Sequence, residues 1–218
     1  MKTALLFGSS GLVGGHLLNQ LIKDTNYSKI KLFVRSVPEI SDSKVEIIKT
    51  DFNNLENHKE DIKGDDSFFC IGTTKQNSPD KDKYRRVELE IPKEIAQIAK
   101  SNSINSFVFV SSGYADPKSS GDYLKFKGQV EEELKRLNFT KLGIMRPSFL
   151  MGNRKEKRIG EKIGILVFKL LSPLLLGPLK KMKPINSEIV AKAMIKAANE
   201  NLEINTFESN EIVELVLN

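Results

Sequence analysis

An α/β fold, doubly wound about a mostly parallel sheet, is predicted by three observations. Short β-rich runs alternate with longer helical patterns, a glycine-rich turn joins the first run to the first helix, and no repeat or Pro/Gly/Ser linker divides the 218 residues. The strands expected are Thr3–Phe7, Ile30–Val34, Val45–Ile48, Ser67–Ile71, Phe107–Val110 and Leu142–Met145, each a short apolar run. Between and after them, helices are expected at Leu12–Ile22, Lys83–Ser101, Tyr123–Leu137, Gly160–Leu175 and Ser187–Asn199. Thr206–Phe207 is placed as a last edge strand.

Composition narrows the class. Hydrophobic residues make up 39% and charged ones 28%, which supports a packed core with a solvated surface and argues against disorder. Cys70 is the single cysteine, so no internal disulfide forms, and the chain suits a reducing compartment. In Ser67-Phe-Phe-Cys-Ile71 it reads as a small buried hydrophobe. With His16 and His58 the only histidines and no recognisable carboxylate spacing, no metal site is expected. The apolar start, Ala4 to Phe7, stops at Gly8, too short for a signal-peptide core, so a cytoplasmic protein is expected. The net charge of +6 is spread through alternating lysines and acids, as in Lys59-Glu-Asp61. Without a basic stripe bearing interleaved aromatics, no nucleic-acid partner is expected.

The strongest motif is Gly8-Ser-Ser-Gly11-Leu-Val-Gly14, directly after the first strand and opening the first helix. A backbone that turns sharply and approaches a pyrophosphate has no room for Cβ atoms. The helix start then aims unpaired N–H groups and its positive dipole end at phosphate. Gly8, Ser10, Gly11, Leu12, Val13 and Gly14 are therefore expected to hold a dinucleotide, as in a Rossmann fold. At the end of the second strand come Arg35 and Ser36, where an NAD site usually carries an acid for the ribose hydroxyls. An arginine there suits a 2′-phosphate, so NADP is expected, with NAD as the alternative. Asp51 and Phe52, after the third strand, are candidates for the adenine border, with a turn or cap as the other role of Asp51. Gly72, Thr73 and Thr74 follow the fourth strand and would pass the cofactor riboses.

A second constellation follows the fifth strand. Ser111 and Ser112 end it, and Tyr123 and Lys127 stand four apart on one helical face. Reducing a carbonyl needs a proton donor at oxygen while hydride reaches carbon. A free tyrosine has a pKa of about 10, so a neighbouring ammonium that stabilises the phenolate helps it act. Lys127 supplies that charge and reaches the nicotinamide ribose, while a strand-end serine orients the carbonyl.

With these motifs in this order, the chain resembles the short-chain dehydrogenase/reductase superfamily, and more narrowly its atypical NmrA-like and Tat-interacting-protein-like group. The residues that carry the resemblance are Gly8–Gly14, Cys70-Ile-Gly-Thr-Thr74, Ser111-Ser112, Tyr123–Lys127 and Arg146-Pro147, over nearly the whole chain. It implies catalytic roles for Tyr123 and Lys127, carbonyl orientation by Ser112 before Ser111, and a place beside the nicotinamide for Pro147, Ser148 and Phe149. The asparagine that many catalytic members carry on the preceding helix has no evident counterpart.

Downstream, Ile163, Leu166, Val167, Leu170, Leu171 and Leu174 recur at helical spacing, with Lys162 and Lys169 opposite. Pro173, Pro178 and Lys169 interrupt the run, so no bilayer span is expected. The resemblance makes this stretch the cover of a substrate pocket, within an insertion at 148–185 of one domain spanning 1–218. Arg154, Lys155, Lys157, Arg158, Lys180, Lys181 and Lys183 rim it, which would also suit docking on a partner or an anionic membrane. The expected activity is NADP-dependent reduction of a small carbonyl compound. The alternative from another class is a regulatory protein whose cofactor binding is read by a partner.

Overall fold

The computed structural model describes residues 1–152 and 183–217. The amphipathic stretch expected as a helix at Gly160–Leu175 lies outside them. In chain order the elements are β1 (Lys2–Phe7), α1 (Leu12–Lys23), β2 (Tyr27–Val34), β3 (Val45–Lys49), β4 (Asp66–Phe69), α2 (Lys81–Arg85), α3 (Ile91–Ser101) and β5 (Ser106–Val110). There follow α4 (Asp122–Leu137), β6 (Lys141–Arg146), β7 (Leu150–Met151), β8 (Ile185–Asn186), α5 (Ser187–Asn199), β9 (Thr206–Glu208) and α6 (Ser209–Leu217). A wide helical turn over Arg86–Glu90 carries α2 into α3.

The sheet runs β3-β2-β1-β4-β5-β6-β9, and every neighbouring pair in it is parallel. Its order reverses beside β1, which opens a crevice at the carboxyl ends of β1 and β4. Alternation along each strand splits the core into two layers. Ala4 and Leu6 face α1 and α5, where they meet Val13, Leu17, Leu21, Val190 and Met194. Leu5 and Phe7 face α3 and α4, against Ile95, Ala99, Val130 and Leu134. On that second face the rings of Phe33, Phe7, Phe69 and Phe109 stand side by side across four strands, with successive centroids 4.4, 6.1 and 5.8 Å apart. Large rings at matching register positions fix the order of the strands beneath the site.

At the opposite, amino end of the sheet, Asp66 is fully buried and satisfied. It accepts from Lys2 Nζ at 2.9 Å, Tyr27 Oη at 2.8 Å and Ser106 Oγ at 2.8 Å. Burial, then the neighbouring Asp66 carboxylate, hold the Tyr27 phenol well above its usual range. This cluster stands far from the crevice and serves the fold.

Among the described residues the expected elements appear with shifted ends, and the single helix expected over Lys83–Ser101 is divided by the wide turn at Arg86–Glu90. The fourth strand stops at Phe69, two residues early, because Cys70 and Ile71 already turn against Gly8. Thr206–Glu208 does pair at the sheet edge, beside β6. The short β7 and β8 pair with each other, and Ser148 Oγ donates to the Lys183 carbonyl at 2.5 Å. The chain therefore leaves and re-enters the fold at one place on either side of the segment between them.

Candidate functional site

The glycine turn is built as its spacing demands. Gly8 has φ +94°, and a Cβ on it would stand 2.7 Å from the Cys70 carbonyl carbon and the Ile71 nitrogen. A Cβ on Gly14 would stand 2.1 Å from the Gly8 carbonyl oxygen, so α1 packs on the turn backbone to backbone. Gly11 is less constrained, its Cβ position lying 3.3 Å from the same oxygen. No side chain caps the start of α1 and no acid stands in its first turn, which leaves its N–H groups and dipole for an anion.

A cavity of 1180 Å³ opens above this turn. It brings together Gly8, Ser10 and Gly11 with Arg35 and Ser36 from the end of β2. Asp51 and Phe52, then Gly72 and Thr73, complete the expected lining. Asp51 is exposed and accepts from the Asn53 backbone at 2.9 Å and its amide at 3.0 Å, which holds its carboxyl below the usual range. Its turn role is thus occupied, while it still faces the cavity. Phe52 is buried with φ 63°, and Arg86 secures it by donating to its carbonyl at 2.7 Å. The cavity fits a dinucleotide: its floor is the glycine turn at the uncapped start of α1, and its rim carries Arg35, Lys83 and Arg85. A smaller cavity of 370 Å³, between Leu55 and α3, contains none of these groups.

Other expected residues stand outside this cavity. Val13 is buried in the core and Leu12 packs near Gly152, so both support the turn rather than line the space above it. Thr74 Oγ1 accepts the Asn77 N–H at 3.2 Å, closing the loop after β4. Lys127, one turn after Tyr123 on α4, reaches the end of β5 by donating to the Val110 carbonyl at 3.3 Å. Tyr123 is 37% exposed, whereas Lys127 is buried, with its Nζ 5.9 Å from the Tyr123 ring centre. Pro147 accepts the Gly113 N–H at 2.9 Å, which lays the segment after β6 beside Ser112. Ser148 N–H donates to Ser209 Oγ at 2.8 Å, and Phe149 is exposed.

The two serines differ in their surroundings. Ser111 is buried and its hydroxyl donates to Glu131 at 2.5 Å. Glu131 also takes a forked pair from Arg146, whose other nitrogen reaches Glu208 at 3.2 Å. That network binds β5, α4, β6 and β9 together. Ser112 is half-buried, its hydroxyl 3.3 Å from the Gly113 carbonyl, a weak contact that a substrate oxygen can replace.

Three residues escaped the sequence reading. Arg86 ties the Phe52 turn to α3 through Glu94. Glu131 organises the strand ends, and Glu88 lies 3.1 Å from Lys127. Glu88 sits in an alternating charge run that reads as solvated, yet Tyr84, Glu88, Ile91 and Ile95 share one helical face and are all buried. That spacing was the available signal.

A doubly wound parallel sheet with a glycine-walled crevice at its switch point defines a Rossmann-type dinucleotide-binding protein. A family model described as NAD(P)H-binding matches residues 8–201. The chain belongs to this NAD(P)H-binding family. It is 31% identical to "Protein FMP52-1, mitochondrial" of Scheffersomyces stipitis over 98% of both chains. It is 32% identical to "Protein HTATIP2" of Rattus norvegicus, over 73% of this chain and 67% of that one. Among solved structures, a short-chain dehydrogenase/reductase superfamily protein from Agrobacterium tumefaciens with bound NAD superposes with a TM-score of 0.70 at 14% identity, covering 99% of this chain and 81% of that one, and so shows the shared fold.

The expected cytoplasmic location is overturned by these relatives, several of which are named mitochondrial. The lone cysteine behind that expectation does not distinguish one reducing compartment from another. Among the described residues no helix is long and apolar enough to cross a membrane.

Proposed function

We propose that the protein is an NADP-dependent oxidoreductase that reduces a small carbonyl compound. The observation that carries this reading is the placement of Tyr123 and Lys127 on one face of α4, with Ser112 at the end of the neighbouring β5. When bound, the nicotinamide supplies hydride to the carbonyl carbon. The Ser112 hydroxyl donates to the carbonyl oxygen and orients it. Tyr123 gives that oxygen the proton that completes the alcohol. Lys127, as a cation, stabilises the phenolate left on Tyr123 and reaches the nicotinamide ribose. Pro147 to Phe149 border the nicotinamide. The mitochondrial names of the fungal relatives supply the compartment for this reading.

Turnover of NADPH against aldehydes, ketones and quinones tests it. Consumption with at least one class is expected; tight NADPH binding with no consumption across the panel would favour the second reading. That reading, a cofactor-binding regulatory protein acting through a partner, is favoured by one observation: the cavity that holds Gly8, Gly11 and Arg35 is lined by none of Tyr123, Lys127 and Ser112.

The choice of NADP rests on Arg35 and Ser36 at the cavity rim. A charge-assisted contact to the 2′-phosphate is worth about 1.5–3 kcal/mol. Wild type is therefore expected to prefer NADPH over NADH by roughly tenfold or more, and Arg35→Ala to lose that preference. Calorimetric titration of both cofactors decides the matter, and equal affinities in wild type would remove the reason for assigning NADP.

A further inference from the structure

Lys127 is held by a carboxylate from another element. Glu88, on the wide turn between α2 and α3, has a fully buried side chain. Its Oε1 accepts the Thr73 N–H at 2.5 Å. Its Oε2 stands 3.1 Å from Lys127 Nζ, yet has no aligned hydrogen bond of its own. Lys127 Nζ in turn donates to the Val110 carbonyl at 3.3 Å and lies 4.9 Å from the Phe109 ring centre.

We propose that Glu88 is a positioning residue whose carboxylate seats Lys127 as a cation beside Tyr123 and couples it to the cofactor-facing turn at Thr73. The inference deepens the reductase reading and rests on Lys127 contacting the cofactor. Its physical basis is desolvation: an ammonium in an apolar enclosure sheds its proton unless a counter-charge accompanies it.

The ionisable groups facing Lys127 come from every element around it. Glu88 comes from the wide turn, Tyr123 and Glu131 from its own helix, and Cys70 from the end of β4, while Tyr84 of α2 faces Glu88 and Tyr123. Glu131 is already engaged by Arg146 and Ser111, which leaves Glu88 as the carboxylate within ion-pair distance. Burial pushes the Lys127 ammonium down, but Glu88, with Tyr123 and Glu131 behind it, outweighs that and holds it above the usual lysine value. Burial drives the Cys70 thiol up to about 12, so it stays neutral and adds no second anion. Near neutrality Lys127 is therefore charged, and it remains so as pH rises, because its loss begins only above the ordinary lysine range.

NADPH affinity measured by calorimetry from about pH 7 to 9.5 tests the proposal. Three proteins are compared: wild type, Glu88→Gln, and Glu88→Gln combined with Lys127→Met. Glutamine keeps an oxygen for the Thr73 N–H while removing the charge. Wild-type affinity is expected to be flat. Affinity of Glu88→Gln should fall about tenfold with rising pH, because burial draws an uncompensated lysine down into this window. The double variant should be flat again, which assigns the slope to Lys127. A flat Glu88→Gln profile, or a slope that survives in the double variant, would overturn the proposal. If glutamine prevents folding, Glu88→Asp withdraws the charge by one methylene; a smaller fall in the same direction is expected, and an unchanged profile would overturn the proposal equally. Carbonyl turnover does not enter the measurement, so a protein that reduces nothing still gives a readable result.

Discussion

Tyr123→Phe is expected to bind NADPH almost as wild type does and to lose carbonyl reduction by about 10²–10⁴-fold, the usual contribution of a positioned proton donor. The substitution removes a single oxygen. Tyr123 is 37% exposed on α4 and belongs to neither apolar layer, so stability should change by less than about 0.5 kcal/mol. Loss of activity would therefore report chemistry rather than unfolding. Single-turnover rates with saturating NADPH, alongside calorimetric affinities, separate the two. Ser112→Ala should lose less, since it orients the oxygen without supplying the proton. Reduction by Tyr123→Phe at the wild-type rate would show that the proton comes from elsewhere and that the helix face is ordinary surface.

Gly14→Ala should abolish cofactor binding and cost about 1–3 kcal/mol of stability through overpacking. The new methyl would stand 2.1 Å from the Gly8 carbonyl oxygen and 2.8 Å from its carbon. Both are backbone atoms that cannot swing away, so either α1 lifts off β1 or the turn deforms. In each case the N–H groups at the helix start lose their aim. Gly15→Ala is the matched control one position on. Its methyl would meet Ser9 oxygen at 3.4 Å, an ordinary contact, and replacing a helical glycine by alanine should be worth about 0.5–1 kcal/mol in its favour. Thermal unfolding and NADPH titration of the pair provide the measurement. Wild-type binding by Gly14→Ala would mean that the glycine sequence serves only as a turn.

The order of elements, the glycine turn, the serine pair and the Tyr123–Lys127 spacing were legible because each is a local pattern. Strand runs of period two, helices of period 3.6 and glycines at closest approach are set by residues near one another in the chain. On this local information the sequence determined a doubly wound α/β domain with a dinucleotide crevice after its first strand. An edge strand at Thr206–Phe207 was foreseeable for the same reason, whereas its pairing with β6 was not, and Ser209–Leu217 was not singled out as a helix.

What only the tertiary structure decided is how distant charges share one enclosure. Ser111 and Ser112 are neighbours of identical chemistry in the chain, and the difference between them comes from Glu131, twenty residues on, and Arg146 beyond it. The Tyr123–Lys127 spacing marks Lys127 in the sequence, but nothing near it in the chain shows that Glu88 arrives from another helix to meet it. Burial is the physical reason. The cost of placing a charge depends on the solvent that folding removes and on the counter-charge that folding brings, and neither quantity is written in any short stretch of sequence.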